Sequence, residues 1–400
     1  MKQLFFAIIG IVVLVTACSS SDTGKKTEKG VIIDFKSAID AKKYSVHKLS
    51  DYASSIRYVP LETKDDALIG QVRRHLSYYY DGQFYIVSDD KILKFDSSGK
   101  FIRLIGDTGQ GPNEYIAIAS VDVSPETNHL YILDEGHFLL EYTLDGNFIR
   151  KLPLKTDKYE KEYPYDFRVV EQDLYAFGLD TWSDTDYMLS FSDTDYQDIL
   201  PIRHPKPLIK VGTSFEKTLK RTSEGIQYYN LHYDTVYWVN QNKTLSPAYI
   251  FHQGKYQYKR ESGNPASGIY LRAYLDTGSY VFTNWVFGNF APEKFEYIWR
   301  GSRTVINSNV YSIYDKREGK LHLLKQPIPT VLGLRNDIDN GPIFWPALIS
   351  SDGKEAIMFY EAYKLIEDYK QFENPSKELK ILVESLNDDD NPVMIIATLK

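Results

Sequence analysis

The chain has 400 residues, a formal net charge of −7 and 25% charged residues. Lys and Arg form no basic run or stripe, so the sequence predicts no nucleic-acid partner. Cys18 is the single cysteine, which excludes an internal disulfide, a zinc finger and a cysteine nucleophile in the folded part. Tyr and Phe are abundant, and this favours a β-rich fold. The alternative interpretation is an aromatic surface that stacks sugars or peptides.

The first eighteen residues have the pattern of an export signal. Lys2 precedes an apolar run at 4–14, and small residues lead into Cys18. The apolar run is too short to cross a bilayer, which takes about 20 residues. Val15-Thr16-Ala17-Cys18 resembles the lipobox of bacterial lipoproteins. That resemblance implies cleavage before Cys18 and a lipid bilayer as the partner of the acylated Cys18. The alternative is an ordinary secretory signal with a chance cysteine.

The segment after Cys18 lacks apolar periodicity. Ser, Thr, Lys, Gly and acidic residues fill it, so we expect a flexible tether. The predicted organisation is a signal at 1–17, a tether at 18–30 and a folded domain at 31–400. The predicted location is the cell envelope, as an outer-membrane lipoprotein. Asp22, Lys25 and Lys26 leave the periplasmic face and the cell surface both open.

Two segments of the chain repeat each other. The run Phe95–Arg103 matches Tyr142–Arg150, each with a polar turn that ends in Gly and is followed by Phe-Ile-Arg. The glycines, Gly99 and Gly146, stand about 47 residues apart, and each supplies positive φ between two extended runs. A period in the mid-forties with several strands per unit is typical of a β-propeller with four-stranded blades.

Fainter copies of the repeat set the number of blades. Turns follow at Asp195, Asn242 and Gly319, and a last unit contains Ile357–Tyr360. The count predicts an all-β, six-bladed propeller of antiparallel blades. The long gap before Gly319 leaves seven blades open, and a pair of β-sandwiches is the competing fold.

Both ends of the folded domain are predicted to form one closing blade. Its strands are Ile56–Leu61 and Val393–Leu399. One helix precedes the final strand, with Asn374 as its N-cap and Pro375 as its first residue. We expect this helix to pack on the rim, followed by the acidic turn at 388–390.

Four segments resemble the six-bladed β-propeller lipoproteins of Bacteroidetes, which are similar in style to NHL-repeat propellers. They are Tyr58–Thr63, Gly106–Tyr115, Gly333–Pro342 with Phe344–Pro346, and Asp390–Val393. The resemblance covers nearly the whole mature chain and implies its fold and compartment. It implies no activity.

The Gly-rich loop at 106–115 is the most distinctive segment. Its candidate ligand contacts are Gly109, Gln110, Gly111, Glu114 and Tyr115. The loop lacks the helix and the Lys-Ser/Thr pair of a phosphate cradle, so a crossover between blades is the favoured interpretation and a ligand contact the alternative.

The loop at 336–341 is the best cation candidate. Asp337 and Asp339 supply carboxylates beside a Gly, which suits calcium or another divalent ion. It departs from the EF-hand pattern, and a turn with local hydrogen bonds is the favoured interpretation. No cofactor is otherwise predicted.

No catalytic signature is visible. The eight histidines form no zinc motif, and no Gly-x-Ser-x-Gly elbow occurs. We therefore assign no catalytic residue. Four tryptophans lie beside turn-like or polar segments and are candidate stacking platforms, with core packing as the alternative for each: Trp182, Trp285, Trp299 and Trp345.

The leading functional hypothesis is an anchored binding or scaffold module for a glycan, a peptide or an envelope protein. Trp345 is its predicted aromatic contact. The alternative is a hydrolase or lyase that gathers His and Asp/Glu side chains in the central channel. An assembly factor for envelope partners is a third hypothesis.

Overall fold

Six four-stranded antiparallel sheets follow one another along the chain. The computed structural model describes residues 30–135, 138–154, 164–179, 187–193, 200–203, 218–230, 233–259, 264–299, 303–328 and 331–400. First strands of neighbouring blades contact each other between blades 2 and 3, 3 and 4, 5 and 6, and 6 and 1, so these strands lie nearest the axis of the molecule. The prediction of an all-β, six-bladed propeller is confirmed.

Blades 1 to 3 are consecutive in the sequence, and each is given from its inner to its outer strand. Blade 1 consists of Tyr78–Tyr80, Gln83–Ser88, Lys91–Phe95 and Phe101–Leu104. Blade 2 consists of Ile118–Ser124, His129–Asp134, Phe138–Thr143 and Phe148–Pro153. Blade 3 consists of Pro164–Glu171, Leu174–Leu179, Tyr187–Asp193 and Leu200–Arg203.

Blades 4 to 6 complete the ring. Blade 4 consists of Leu219–Thr222, Gly225–Tyr228, Thr235–Val239 and Leu245–Phe251. Blade 5 consists of Tyr270–Asp276, Tyr280–Val286, Asn309–Asp315 and Lys320–Leu324. Blade 6 consists of Leu348–Ile349, Glu355–Tyr360, Val393–Leu399 and Ala53–Pro60.

Blade 6 closes the ring as predicted. Its outer strand Ala53–Pro60 pairs antiparallel with Val393–Leu399 near the C-terminus. The long gap before Gly319 is explained by blade 5, where the hairpin Phe295–Trp299 and Arg303–Asn307 is inserted between the second and third strands. No seventh blade is needed. The turn predicted at Asp195 lies outside the described residues.

The chain before the closing strand forms an N-terminal belt, residues 31–45. Val31–Ile33 pairs in parallel with the outer strand of blade 4, and Tyr44–Ser45 pairs in parallel with that of blade 5. Helix α1, Phe35–Asp40, lies between them. The ring of Phe35 packs 4.1 Å from that of Trp285, measured between centroids. The sequence did not predict this belt, because two short strands carry too little pattern to be recognised.

Two helices lie in blade 6 where one was predicted. Helix α2 is Ala362–Tyr369 and helix α3 is Lys377–Ser385. The N-cap of α3 is Ser376, whose side chain accepts a hydrogen bond from the backbone N–H of Leu379. The prediction of Asn374 as N-cap was wrong, because Asn374 takes a positive φ of 53° and turns the chain ahead of the helix.

The remaining short elements lie in the connections. A two-residue parallel pair joins Asp107–Thr108 to Glu114–Tyr115. Single 3-10 turns occupy Leu49–Asp51, Asp65–Ala67, Arg74–Leu76, Gly254–Tyr256, Pro265–Ser267 and Gly288–Phe290.

Apolar clusters between neighbouring blades form the core. In the second strand of blade 1, Phe84 and Ile86 pack toward blade 6, whereas Tyr85 and Val87 pack toward blade 2. Successive side chains point to opposite faces of a strand, so a strand between two blades must be apolar on both faces. All four of these residues are fully buried.

Candidate functional site

A cavity of about 410 Å³ lies on the axis of the ring. Inner-strand residues of blades 1, 3, 4, 5 and 6 contribute to its wall, together with the turn that leads into blade 1. Its volume is within the range of about 300–1,000 Å³ that is common for small-molecule sites. The residues that line it and carry charge or hydrogen-bonding groups are Arg74, His75, Ser77, Tyr78, Arg168, Lys220, Arg221, Thr222, Tyr274, Asp276, Asn284 and Tyr311.

One wall of the cavity is a buried ion-pair network. Arg221 binds Asp122 with two hydrogen bonds, Nε to Oδ1 at 3.0 Å and Nη2 to Oδ2 at 2.7 Å. It also donates from Nη1 to Glu126 and from Nη2 to the carbonyl of Val169, both within 3 Å. Burial lowers the pKa of Arg221 and the two carboxylates raise it, with the net shift upward. Charged Arg221 therefore connects blade 4 to blades 2 and 3 through its hydrogen bonds.

Arg168 supplies the second guanidinium group of this wall, and one of its N–H donors has no hydrogen-bond partner among the described residues. It is 3% exposed, and its Nη1 donates to Asp166 Oδ1 at 3.0 Å. Its Nε lies 3.9 Å from Asp122 Oδ1, which is too far for a hydrogen bond. Among the described residues, Nε has no hydrogen-bond partner. A buried donor without a partner is costly, so this atom is suited to a ligand.

Another part of the lining is aromatic. Trp345 stacks on Tyr311 with 4.2 Å between ring centroids and 26° between planes. Phe282 contacts Trp345 edge-on at 5.4 Å. Trp345 and Tyr311 are half-buried, so part of each ring stays accessible. A flat apolar surface of this kind packs against the face of a ring.

Two more polar atoms at the cavity lack partners among the described residues. They are the hydroxyl of Tyr274, which is 2% exposed, and Oδ1 of Asn284. Burial raises the pKa of Tyr274, Asp276 raises it further and Arg168 lowers it, with a large net rise. The hydroxyl therefore keeps its proton and can donate. Tyr274 and Asn284 come from adjacent strands of blade 5.

Asp276 is the carboxylate in the described lining, and it is already neutralised. Its Oδ1 lies 2.7 Å from Nζ of Lys316, and its Oδ2 accepts hydrogen bonds from Gln227 at 2.6 Å and Tyr249 at 2.9 Å. Burial raises the pKa of Asp276, and these three partners offset the rise only in part. Asp276 therefore contributes little negative charge to the cavity.

The Gly-rich loop of the sequence analysis lies in the crossover from blade 1 to blade 2, away from the cavity lining. Glu114 accepts a hydrogen bond from the backbone N–H of Gly111 at 2.8 Å. Tyr115 is 1% exposed, Gln110 is exposed, and Gly109 is half-buried. A Cβ at Gly109 would lie 1.9 Å from Glu114 Oε2, so the glycine allows this close approach. Ligand contact by this loop stays a prediction.

The predicted cation ligands have other partners in the structure. Asp337 accepts hydrogen bonds from the backbone N–H and the hydroxyl of Ser50, at 3.0 and 2.7 Å. Asp339 accepts from Asn336 Nδ2 and the N–H of Gly341, at 2.6 and 3.0 Å. No group of three His, Cys, Asp or Glu side chains suited to a metal ion occurs within the described ranges. Calcium binding by Asp337 and Asp339 stays a prediction.

The four candidate tryptophans have different fates. Trp345 lines the cavity, as a stacking platform requires. Trp285 is fully buried, and its indole N–H donates to Thr283 Oγ1 at 2.8 Å, so it is a core residue. Trp299 lies in the inserted hairpin of blade 5. Trp182 lies outside the described residues, as do His137, His204 and His232.

The sequence analysis missed Arg74, Arg168, Lys220 and Tyr274. A signal was present in two inner strands, where Asp122 and Arg168 interrupt runs of buried apolar residues. Charged residues at such positions are rare unless they are paired, and pairing across strands points to a polar axis. The partners come from different blades, so only the closed ring brings them together.

The fold and site define a class of protein: a six-bladed β-propeller with a cavity of ligand size on its axis. The chain belongs to the DUF4934 family, described as a domain of unknown function, whose model matches residues 30–398. No curated protein matches the sequence significantly.

Two solved structures share the fold. A Bacteroides fragilis protein inferred to be exported aligns with a TM-score of 0.67 and 18% identity, covering 92% of this chain and 99% of that one. A member of the DUF4221 family from Bacteroides vulgatus aligns with a TM-score of 0.51 and 10% identity, covering 87% of this chain and 97% of that one. At these identities the likeness shows the fold alone. Among the described residues, no helix has the length and apolar character needed to cross a bilayer.

Proposed function

We propose that this protein is an exported, lipid-anchored binding module whose ligand, a glycan or the end of a peptide, enters the axial cavity. The observation that carries the proposal is the contrast between the two walls. Arg168 and Tyr274 present buried polar atoms without partners, and they share the cavity with the stacked rings of Trp345 and Tyr311. Convergent polar groups beside an aromatic surface are typical of small-molecule sites.

The network behind Arg168 supports the proposal. Arg221, Asp122 and Asp166 connect blades 2, 3 and 4, so the charged wall is held by several strands at once. A site whose polar groups are fixed before binding loses little conformational entropy when the ligand enters. A site whose polar groups are held in place in advance suits a module that captures its ligand near a membrane.

The cavity is tested by titration calorimetry of the purified mature chain. The probes are D-galacturonate, D-galactose, benzoate and diglycine. We expect saturable binding of at least one probe, and Trp345→Ala to weaken it about tenfold through loss of the stacking surface. Tyr363→Ala, which removes a 54% exposed ring from helix α2, is the matched control and leaves affinity unchanged. If no probe binds, or if Trp345→Ala binds as the unaltered chain does, the cavity is not the site.

The lipid anchor needs a separate test. The proposal rests on the lipobox-like run that ends at Cys18 and on the polar segment after it. In cells fed an alkyne-labelled fatty acid, we expect the unaltered chain to carry the label and to sediment with membranes. Cys18→Ser should lose the label and become soluble. An unaltered chain that carries no label would rule the anchor out.

A further inference from the structure

We propose that the axial cavity takes an acidic sugar, with the carboxylate toward Arg168 and Arg74 and the ring against Trp345. This inference rests on the proposed function, since it names the ligand class for the same cavity. Four observations bear on it: the open hydrogen-bonding atoms, the balance of charge, the placement of Arg74 and the aromatic part of the lining.

Three hydrogen-bonding atoms at the cavity have no partner among the described residues: one donor, one acceptor and one hydroxyl that can act as either. Nε of Arg168 can only donate, and the hydroxyl of Tyr274 can donate or accept. Asn284 Oδ1 can only accept. A ligand that satisfies all three needs acceptor oxygens on one side and a hydroxyl donor on the other. A carboxylate on a hydroxylated ring meets this requirement, whereas a hydrocarbon acid lacks the donor for Asn284.

The described lining has more cations than carboxylates, although Asp166 and Asp122 behind it already pair with Arg168 and Arg221. Arg74, Arg168, Lys220 and Arg221 are its cations, and Asp276 is its carboxylate, already paired with Lys316. Asp122 and Glu126 behind the wall are bonded to Arg221. A buried guanidinium prefers an anionic partner, and a hydrogen bond between the two is stronger than one between neutral groups.

Arg74 adds a cation beside the aromatic wall. Its guanidinium lies 5.7 Å from the ring centroid of Phe359, and within the described residues it has no carboxylate partner. Burial raises the pKa of Tyr311, and Arg272 and Arg74 oppose the rise, which places both guanidinium groups near that ring. Arg74 is exposed, so it can reorient toward a ligand. Charge and ring surface thus lie together at one site.

The aromatic wall selects a flat partner. The face of a pyranose ring carries C–H groups that pack against an aromatic ring, while its hydroxyls point outward toward polar groups. Trp345 and Tyr311 stack on each other, so a ligand ring would pack on the outer face of one of them, with the second ring supporting it from behind. A cavity of about 410 Å³ has room for one sugar residue and bound water.

Matched probes test the inference by calorimetry on the mature chain. D-galacturonate and D-galactose share a ring and differ in the carboxylate, and benzoate has a carboxylate without ring hydroxyls. We expect D-galacturonate to bind at least about tenfold more tightly than either of the others, with an affinity that falls as salt rises. Trigalacturonate binding without monomer binding would support the terminal residue of an oligosaccharide as the ligand.

Variants assign the contacts. Arg74→Gln should weaken D-galacturonate about tenfold and leave D-galactose unchanged, because it removes a charge and keeps a hydrogen-bonding side chain. Arg103→Gln, an exposed arginine on the outer strand of blade 1, is the matched control. Arg168 is unsuitable for this test, because its loss leaves Asp166 buried without its ion-pair partner.

The outcomes separate this inference from the proposed function. If D-galactose binds as tightly as D-galacturonate and Trp345→Ala weakens both, the acidic ligand is wrong and the cavity remains a binding site. The same conclusion follows if diglycine alone binds in a Trp345-dependent way. If none of the probes binds, both the inference and the proposed function fail.

Discussion

The carbonyl oxygen of Pro60 lies 2.1 Å from the position that a Cβ would occupy at Gly99. Gly99 ends the turn of blade 1 with a φ of +86°, and Pro60 ends the outer strand of blade 6. Their backbones continue in contact, since the N–H of Glu62 donates to the carbonyl of Gly99 at 2.8 Å. The turn of blade 1 that ends at Gly99 therefore packs against the end of the closing strand Ala53–Pro60.

Gly99→Ala should lower the free energy of unfolding by more than Gly319→Ala does. Both glycines have positive φ, which costs an alanine about 1–2 kcal/mol. At Gly319 the nearest atom is the hydroxyl of Tyr314, 3.8 Å away, whereas at Gly99 the new methyl group meets backbone. Denaturant unfolding of the two variants measures the difference. If the two variants lose the same free energy of unfolding, the backbone around Pro60 adjusts to the new methyl group without a measurable loss of stability.

Asp122→Ala should lower the free energy of unfolding by about 3–5 kcal/mol, because it leaves Arg221 buried without its main partner. Asp122 is fully buried and also accepts a hydrogen bond from the backbone N–H of Val169. Glu126→Ala is the control: it removes the other carboxylate from the same guanidinium, at a side chain that is 27% exposed. Glu126→Ala should lower the free energy of unfolding by about 1 kcal/mol or less. Chemical denaturation of both variants measures the two losses. If Asp122→Ala loses no more free energy of unfolding than Glu126→Ala, Asp122 is not the main partner of Arg221.

The stability of the protein should fall as the pH drops below about 6.5. His47 and His322 lie 5.0 Å apart between ring centroids, and burial lowers the pKa of each. In both residues Lys320 lowers the pKa further and Asp51 opposes it, and His322 itself lowers that of His47. Below about pH 6.5 these two histidines therefore bind more protons in the unfolded chain than in the folded chain, so lowering the pH favours unfolding.

The measurement is the thermal midpoint at pH 7.5 and pH 5.5. His322→Gln should shrink the difference between the two, because it removes one of the two rings that resist protonation. A His322→Gln chain with the full acid sensitivity would exclude the pair as its source.

Trp285→Ala should destabilise the fold far more than Trp345→Ala. The ring of Trp285 contacts those of Phe35 and Phe251 in the core, and its removal should cost about 3–5 kcal/mol. Trp345 borders a cavity that already exists, so its removal opens less new empty space. Thermal and denaturant unfolding of the two variants tests this. Comparable losses would mean that Trp345 is a core residue.

The blades could be predicted from the sequence because their turns are local. Gly99, Gly146 and Gly319 each take a positive φ that few other residues tolerate, so a glycine in the sequence marks each of these turns. The long gap before Gly319 could not be interpreted in this way. An inserted hairpin and a further blade have the same strand and turn signals, and pairing alone distinguishes them.

Of the ligand contacts proposed from the sequence, Trp345 is the one that lines the axial cavity. Arg168 comes from blade 3, Arg74 from the turn before blade 1 and Tyr274 from blade 5, and each has its neighbours because the ring closes. Such convergence depends on the angle and spacing of whole blades, which no short segment encodes. The cap of helix α3 was missed for a smaller reason, since Asn374 and Ser376 are both good capping residues two positions apart.

The N-terminal belt sets the path of mechanical load. Force applied through residue 30 reaches Val31–Ile33 first, whose three residues pair in parallel with the outer strand of blade 4. Tyr44–Ser45 and its contact with blade 5 come next. The closing strand Ala53–Pro60 receives tension only after both have detached. Force applied at residue 30 should therefore detach the belt before the six-bladed ring comes under tension.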